Sequence, residues 1–116
     1  MTNLYREMLN GWTARRWMRG EFGGHGRTCL LGRYHQVKTG KSWMTNQVVV
    51  VESDLADLIS VIRENWPVEG NGPTANLFAA DGAVGEVVHF NDLRAKNFQD
   101  IRAALEKAAV RFEERV

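Results

Sequence analysis

The chain has 116 residues, of which 44% are apolar and 25% are charged, and its 15 basic and 14 acidic side chains give a net charge of +1. This composition is typical of a soluble globular protein and excludes a disordered or disulfide-built chain, so we expect a single domain over residues 1–116. No apolar stretch is long enough for a signal peptide or a membrane span, and Cys29 is the only cysteine, so we expect a cytoplasmic protein that binds no membrane.

The N-terminal residues predict a short helix. Apolar side chains recur at helical spacing over residues 4–12, and Thr2 or Asn3 is placed to cap the first turn. Gly11 suits the left-handed conformation that commonly ends a helix. A helix that continued to Met18 would turn three arginines onto the apolar arc, which is costly for a buried face, so we favour an end near Gly11.

The next segments read as connections. Residues 20–28 contain four glycines and predict a loop, after which Thr28 is placed to cap a short helix beginning at Cys29. Residues 38–42 are polar around a central glycine and predict another loop. The β-branched residues 47–51 favour a strand, with a lead into the next helix as the alternative.

The middle of the chain carries one clear signal. Ser53 is a good N-cap, apolar residues follow at helical spacing, and Pro67 stops the pattern, which predicts a helix over 54–65. Glycine, asparagine and proline over residues 68–74 predict a loop. Residues 75–90 stay ambiguous: 76–80 suit a helical turn, Asp81-Gly82 is a turn signal, and 86–90 suit a short strand or a helical segment.

The last helix is capped by Asn97, with Asp100 at the capping-box position and an apolar stripe running from Ile101 to Phe112. The chain therefore predicts a mainly-α or small α+β domain of three to four helices, with room for a short two- or three-stranded sheet.

Three segments carry a family resemblance: Gly11-Trp12-Thr13, Gly26-Arg27-Thr28-Cys29-Leu30-Leu31-Gly32 and Phe90-Asn91-Asp92. With the final helix, they resemble a family of short, uncharacterised actinobacterial and phage proteins. Phe90 stands where that family more often has Trp, no proline follows Asp92, and residues 36–85 carry no resemblance. The resemblance implies a small α-rich fold and a bacterial or phage origin, hence action in the host cytoplasm if the protein is phage-encoded. It implies no activity.

Two segments partly suit phosphate binding. Lys38-Thr39-Gly40-Lys41-Ser42 ends like a P-loop, but His35 stands where the first glycine is required, and this favours a solvated turn. Residues 23–28 have the glycines of an anion nest, with Arg27 as a charged wall. Because glycine-rich connections are common, a structural turn is favoured here too, and we predict no cofactor.

Catalytic and metal-binding constellations are sparse. Cys29 with His25 or His35 would be a thiol nucleophile and its base, yet no acidic residue lies nearby in sequence to orient the base, so a small buried side chain is favoured. One cysteine and three scattered histidines lack metal-ligand spacing.

Three acidic side chains are candidates for an acid/base pair or a cation site: Asp81, Glu86 and Asp92. We expect instead that Asn91 and Asp92 tie their loop to the core through side chain-to-backbone hydrogen bonds. An enzyme centred on Cys29 or Asp92 is our third functional alternative.

The charges are unevenly distributed. Residues 1–45 hold eight basic and two acidic side chains, a net charge of +6, whereas residues 46–116 hold seven basic and twelve acidic, a net charge of −5. Three of the four tryptophans lie in the basic part. Arginine with tryptophan is typical of protein–protein hot spots and of single-strand nucleic-acid binding. Pairing of the basic part with the acidic remainder of the same domain is the structural alternative.

We predict a small non-enzymatic interaction protein, of the phage accessory type, that sterically blocks a partner protein. The side chains predicted to bind the partner are Arg15, Arg16, Trp17, Arg19, Arg27, Arg33 and Trp43. The runner-up is a nucleic-acid-binding protein that uses the basic and aromatic residues 12–43. A homodimer that pairs the basic part of one copy with the acidic part of another stays open.

Overall fold

Helices dominate the architecture. The structure, a computed structural model, describes residues 2–20, 23–24, 26–40, 50–67 and 82–116. These residues contain five α-helices and one two-stranded antiparallel sheet, which confirms the predicted mainly-α class.

The first helix, α1, spans Leu4–Leu9. The side chain of Asn3 caps it by accepting a hydrogen bond from the backbone N–H of Tyr5. Gly11 follows with a φ of +75°, a conformation that glycine adopts without steric cost, and the helix ends there as predicted. The chain then makes a 3-10 turn over Ala14–Arg16.

A hairpin precedes the second helix, and each of its strands, β1 (Gly23–Gly24) and β2 (Arg27–Thr28), has two residues. Helix α2 spans Leu30–Thr39 and is capped by Cys29, whose Sγ accepts from the Gly32 N–H at 3.3 Å. The helix predicted to begin here is present, but the prediction that Thr28 caps it was wrong, since Cys29 is its N-cap.

Helix α2 also covers Lys38 and Thr39, which were predicted to be loop, and it ends only at Gly40, with a φ of +73°. Its buried residues are Leu30, Leu31, Gly32, Tyr34 and His35. The full length of this helix was not evident from the sequence because a glycine and polar side chains interrupt its apolar stripe.

The predicted helix over 54–65 is present. It begins as a 3-10 turn over Glu52–Leu55 and continues as α3, Ala56–Asn65. Ser53 lies inside the 3-10 turn and so does not act as the predicted N-cap. For the predicted strand over 47–51, Val50 and Val51 belong to no strand, and residues 47–49 lie outside the described part of the chain.

The open region near residue 90 is helical. Helix α4 spans Gly82–His89 and passes into a π-helical turn, Phe90–Arg94, marked by a 2.9 Å hydrogen bond from the Ala95 N–H to the Phe90 carbonyl. The expectations for residues 68–81 lie outside the described part of the chain. Helix α5 spans Phe98–Arg115, and Asn97 caps it as predicted.

Helix α5 organises the core by packing against both α1 and α3, while α2 packs against α1 and α4. Its fully buried stripe consists of Ile101, Ala104, Leu105, Ala108 and Ala109. Burying a large aliphatic side chain such as Ile101 or Leu105 contributes about 1.5–3 kcal/mol, and the alanines let the neighbouring helices pack closely. At its N-terminal end, Phe98 meets the indole of Trp12 edge to face, with ring centroids 5.2 Å apart.

Candidate interaction surface

Asn91 lies at a junction of three chain segments. Its side chain is fully buried, and its Oδ1 accepts from the Trp17 indole N–H at 2.7 Å and from the Leu30 backbone N–H at 3.0 Å. Its amide nitrogen donates to the Met18 carbonyl at 3.1 Å and to Asp92 at 2.9 Å. The junction thus connects the segment after the 3-10 turn, the start of α2 and the π turn.

Asp92 extends the same junction by accepting from the Gly20 backbone N–H at 3.0 Å. Both residues therefore bind backbone groups far away in sequence, which confirms the expectation that Asn91 and Asp92 tie this region together. The segments of the proposed family resemblance contribute residues to this junction, since Leu30 lies in one of them and Asn91 in another.

Two predicted site residues become neighbours through strand-like pairing. Trp17 and Thr28 form a parallel β-bridge, and the Met18 N–H donates to the Thr28 carbonyl at 3.1 Å. The 3-10 turn that ends at Arg16 also packs against β2, the strand that contains Arg27. Both arginines are exposed, whereas Trp17 and Thr28 are half-buried. The bridge thus turns two like charges outwards together.

Arg19 lies on the other side of Trp17. Its guanidinium is 4.9 Å from the centroid of the Trp17 ring, and it donates to the Ala95 carbonyl at 2.5 Å. Trp17 also contacts Phe98, with ring centroids 6.0 Å apart. The indole of Trp17 is therefore engaged inside the protein on both its N–H and its ring.

Arg33 closes the end of α1. Its Nε donates to the Met8 carbonyl at 2.9 Å, and a terminal nitrogen donates to the Asn10 carbonyl at 2.7 Å. A cation suits this position because the last carbonyls of a helix carry partial negative charge. Burial and then the nearby positive charge of Arg16 lower the pKa of Arg33, so the two cations are close enough to repel each other.

Four predicted site residues thus remain on the outside around this junction, and we call them the arginine surface: Arg15, Arg16, Arg19 and Arg27. Within the described residues, none of the four forms an ion pair with a carboxylate. Other cations of the basic part do: Arg6 pairs with Glu113 at 2.8 Å, and Lys38 pairs with Asp54 at 2.9 Å. Trp43, the remaining predicted site residue, lies outside the described part of the chain.

The structure also places the weaker candidates. In the candidate anion nest, Gly23 and Gly24 pair with Thr28 and Arg27 as the strands of a hairpin, and His25 lies outside the described residues. Burial raises the pKa of the Cys29 thiol, which works against a reactive thiolate. Lys38 and Thr39 lie in a helix instead of following a strand, so the P-loop alternative does not fit.

Acid/base and metal chemistry find little support in the parts of the chain that the structure describes. Glu86 is buried against Arg94, with 2.9 Å between their side chains, and Asp92 is held by Gly20. No group of three histidine, cysteine or acidic side chains suited to a metal lies among the described residues. In the same residues, no helix is both long and apolar enough to cross a bilayer.

One exposed apolar side chain near the arginine surface was not predicted from the sequence. Leu93 is 67% exposed and lies in the π turn, between the residues that contact Gly20 and Arg19. Periodicity gave no signal for it because the π turn departs from helical spacing. Its position directly after Asn91-Asp92 was the available clue.

Comparison of the chain with protein-family models, with curated proteins and with solved structures gives no match. The resemblance to short actinobacterial and phage proteins therefore stays a prediction, and function is argued from geometry.

Proposed function

We propose that this protein is a non-enzymatic interaction protein that binds an acidic surface of a partner protein through the arginine surface. The observation that carries the proposal is the exposure of Arg15, Arg16, Arg19 and Arg27 around one junction, without carboxylate partners among the described residues. Like charges held together repel each other, and an acidic partner would relieve that repulsion.

Leu93 favours a protein as the partner. A protein interface combines charged groups at its rim with apolar anchors at its centre, and Leu93 supplies an exposed apolar side chain two residues before Ala95, whose carbonyl Arg19 contacts. Trp17, which was predicted as an anchor, is engaged with Asn91 and Phe98, so the proposal does not depend on it. The arginines would steer the partner and Leu93 would pack against it, occluding the covered surface.

Nucleic-acid binding is the second candidate. Arg16 lies close to Arg27 and Arg33, and such a cluster of cations also suits a phosphate backbone. Base stacking would have to come from elsewhere, because Trp12 is buried and the Trp17 indole is already engaged.

Fluorescence anisotropy with two labelled probes tests these candidates. One probe is an acidic peptide that alternates glutamate with leucine, and the other is a single-stranded oligonucleotide of about 20 nucleotides. We expect the peptide to bind and the oligonucleotide not to bind at moderate salt. Binding of the oligonucleotide alone, with a steep dependence on salt, would replace the proposal by the second candidate. Binding of neither probe at low salt would refute both.

A matched pair of triple variants links binding to the arginine surface. Changing Arg15, Arg16 and Arg27 together to serine should weaken peptide binding at least about tenfold. The control removes the same charge elsewhere by changing Arg63, Arg102 and Lys107 to serine, and it should bind as the wild type does. Equal losses in both variants would mean that only net charge matters. A separate Leu93→Ser change should weaken peptide binding and leave any oligonucleotide binding unchanged.

A further inference from the structure

Asn91 has no unused hydrogen-bonding capacity. An asparagine side chain can accept two hydrogen bonds on its oxygen and donate two from its nitrogen, and all four are made here. Exchanging the oxygen and nitrogen would point the amide N–H groups at the N–H donors of Trp17 and Leu30. The orientation of the side chain is therefore fixed by its partners.

The four bonds lie directly beneath the arginine surface. Trp17 and Met18, which bond to Asn91, are flanked by Arg16 and Arg19. The Leu30 N–H, which bonds to the same oxygen, lies three residues after Arg27. The two chain segments that carry the arginines thus converge on one buried carboxamide.

We propose that Asn91 is the positioning residue of the arginine surface, so that it sets the affinity for the acidic partner without touching that partner. The binding part of this inference rests on the proposed function. A preorganised surface loses less conformational entropy on binding than one that must order first. Without Asn91, the Trp17 indole and the Leu30 amide lose their acceptor, and the segment must move to find water.

The remaining contacts do not replace this function. The Met18 N–H still donates to the Thr28 carbonyl, and the Gly20 N–H still donates to the Asp92 carboxylate. Neither gives the Trp17 indole N–H an acceptor. We therefore expect the loss of Asn91 to loosen the spacing of the arginines while the packing of α1, α3 and α5 persists.

The test compares Asn91→Ala with Val61→Ala. Val61 is buried in α3 and is 1% exposed, so its truncation destabilises the core without touching the arginine surface. Both variants are measured at a temperature where circular dichroism shows native helix content. The two readouts are affinity for the acidic glutamate–leucine peptide and hydrogen exchange of the Trp17 indole N–H by NMR, assigned with a Trp17→Phe variant.

We expect Asn91→Ala to bind the peptide about tenfold more weakly and to exchange the Trp17 N–H much faster, while Val61→Ala changes neither. Faster exchange with unchanged affinity would overturn the inference, as would equal effects of the two variants. Should Asn91→Ala fail to fold, Asn91→Asp serves instead. It keeps both acceptor bonds but loses both donors, and its affinity should fall below those of the wild type and Val61→Ala; an affinity equal to that of Val61→Ala would overturn the inference.

Failure of the proposed function is recognised separately. If the wild type binds neither the peptide nor the oligonucleotide, the proposed function fails and the binding part of the inference fails with it. The structural part is then decided by exchange alone. Unchanged protection of the Trp17 N–H in Asn91→Ala would refute it, and lost protection would support it.

Discussion

Two charged regions of this protein are built differently. In one region, cations of α1, α2 and α5 face carboxylates of other elements, and we call these contacts the paired side: Arg6 with Glu113, Lys38 with Asp54, Arg111 with Glu64, and Arg115 with Asp57. The arginine surface lies instead at a junction of turns. Its arginines have no carboxylate partner among the described residues. The uneven charge of the chain is thus neutralised in one region and left open in the other.

The two regions therefore differ in whether their cations are already bound to a carboxylate of the same protein. Exposed ion pairs contribute only about 0–1 kcal/mol each, so the paired side does not hold the fold together, but its cations are already occupied. Within the described structure, none of the charges of the arginine surface is paired with a carboxylate. The functional proposal therefore concerns that surface.

The largest effect is expected where pairing is most buried. Changing Arg94 to alanine would leave Glu86, which is 3% exposed, without its 2.9 Å partner. Arg94 also donates to the Trp66 carbonyl at 2.9 Å. Leaving a buried charge uncompensated typically costs about 3–5 kcal/mol, so the free energy of unfolding should fall by that amount in urea denaturation.

Arg63 provides the control for this change. Its Nε lies 3.8 Å from the same carboxyl group, but its side chain is 69% exposed. Arg63→Ala should therefore lower the free energy of unfolding by less than about 1 kcal/mol. Similar losses in Arg63→Ala and Arg94→Ala would contradict the view that burial, and not pairing itself, sets the cost.

The next largest effect concerns the tyrosines of the paired side. Tyr5 and Tyr34, the only tyrosines in the chain, donate to the backbone carbonyl and the carboxylate of Asp54 respectively. Burial is the main cause that raises the pKa of both hydroxyls to about 12. In the unfolded chain their pKa is close to 10.

The folded protein therefore holds these two protons more tightly than the unfolded chain does. The stability linked to them should be complete below about pH 10 and should be lost as the pH rises through about 12. Tyrosinate absorbance should show a midpoint near pH 12 in buffer and near pH 10 in urea. A native midpoint near pH 10 would show that the hydroxyls are solvated.

Much of the fold was predictable because its signals are local. Asn3 and Asn97 cap helices within a few residues of themselves, and Gly11 ends α1 through its own backbone preference. The start of helix α2 was predicted, but its length was missed because its stability comes from packing against α1 and α4, which a pattern of Gly32 and polar side chains does not display. Helix caps and helix ends can therefore be predicted from the sequence, whereas the packing partners of a helix cannot.

The candidate site was predictable in composition but not in arrangement. Clustering of arginines was visible, and the tie formed by Asn91 was expected from its residue type. That Trp17 would bond to Asn91, 74 residues later, had no signal in the sequence. Arg33 likewise appeared available, but the structure uses it to close α1. Long-range contacts decide which charged and aromatic groups remain exposed.

The smallest effect gives the sharpest contrast between the two regions. Arg16 lies close to Arg27 and Arg33, so Arg16→Gln removes repulsion between cations. It removes no ion pair among the described residues. Its free energy of unfolding should be unchanged or higher by up to about 0.5 kcal/mol at low salt. Arg111→Gln, on the paired side, removes the contact with Glu64 and should lower the free energy of unfolding. Both differences should shrink at high salt because ions screen exposed charges. Urea denaturation at two salt concentrations measures them, and a loss of stability in Arg16→Gln would mean that the arginine surface is neutralised within the protein after all.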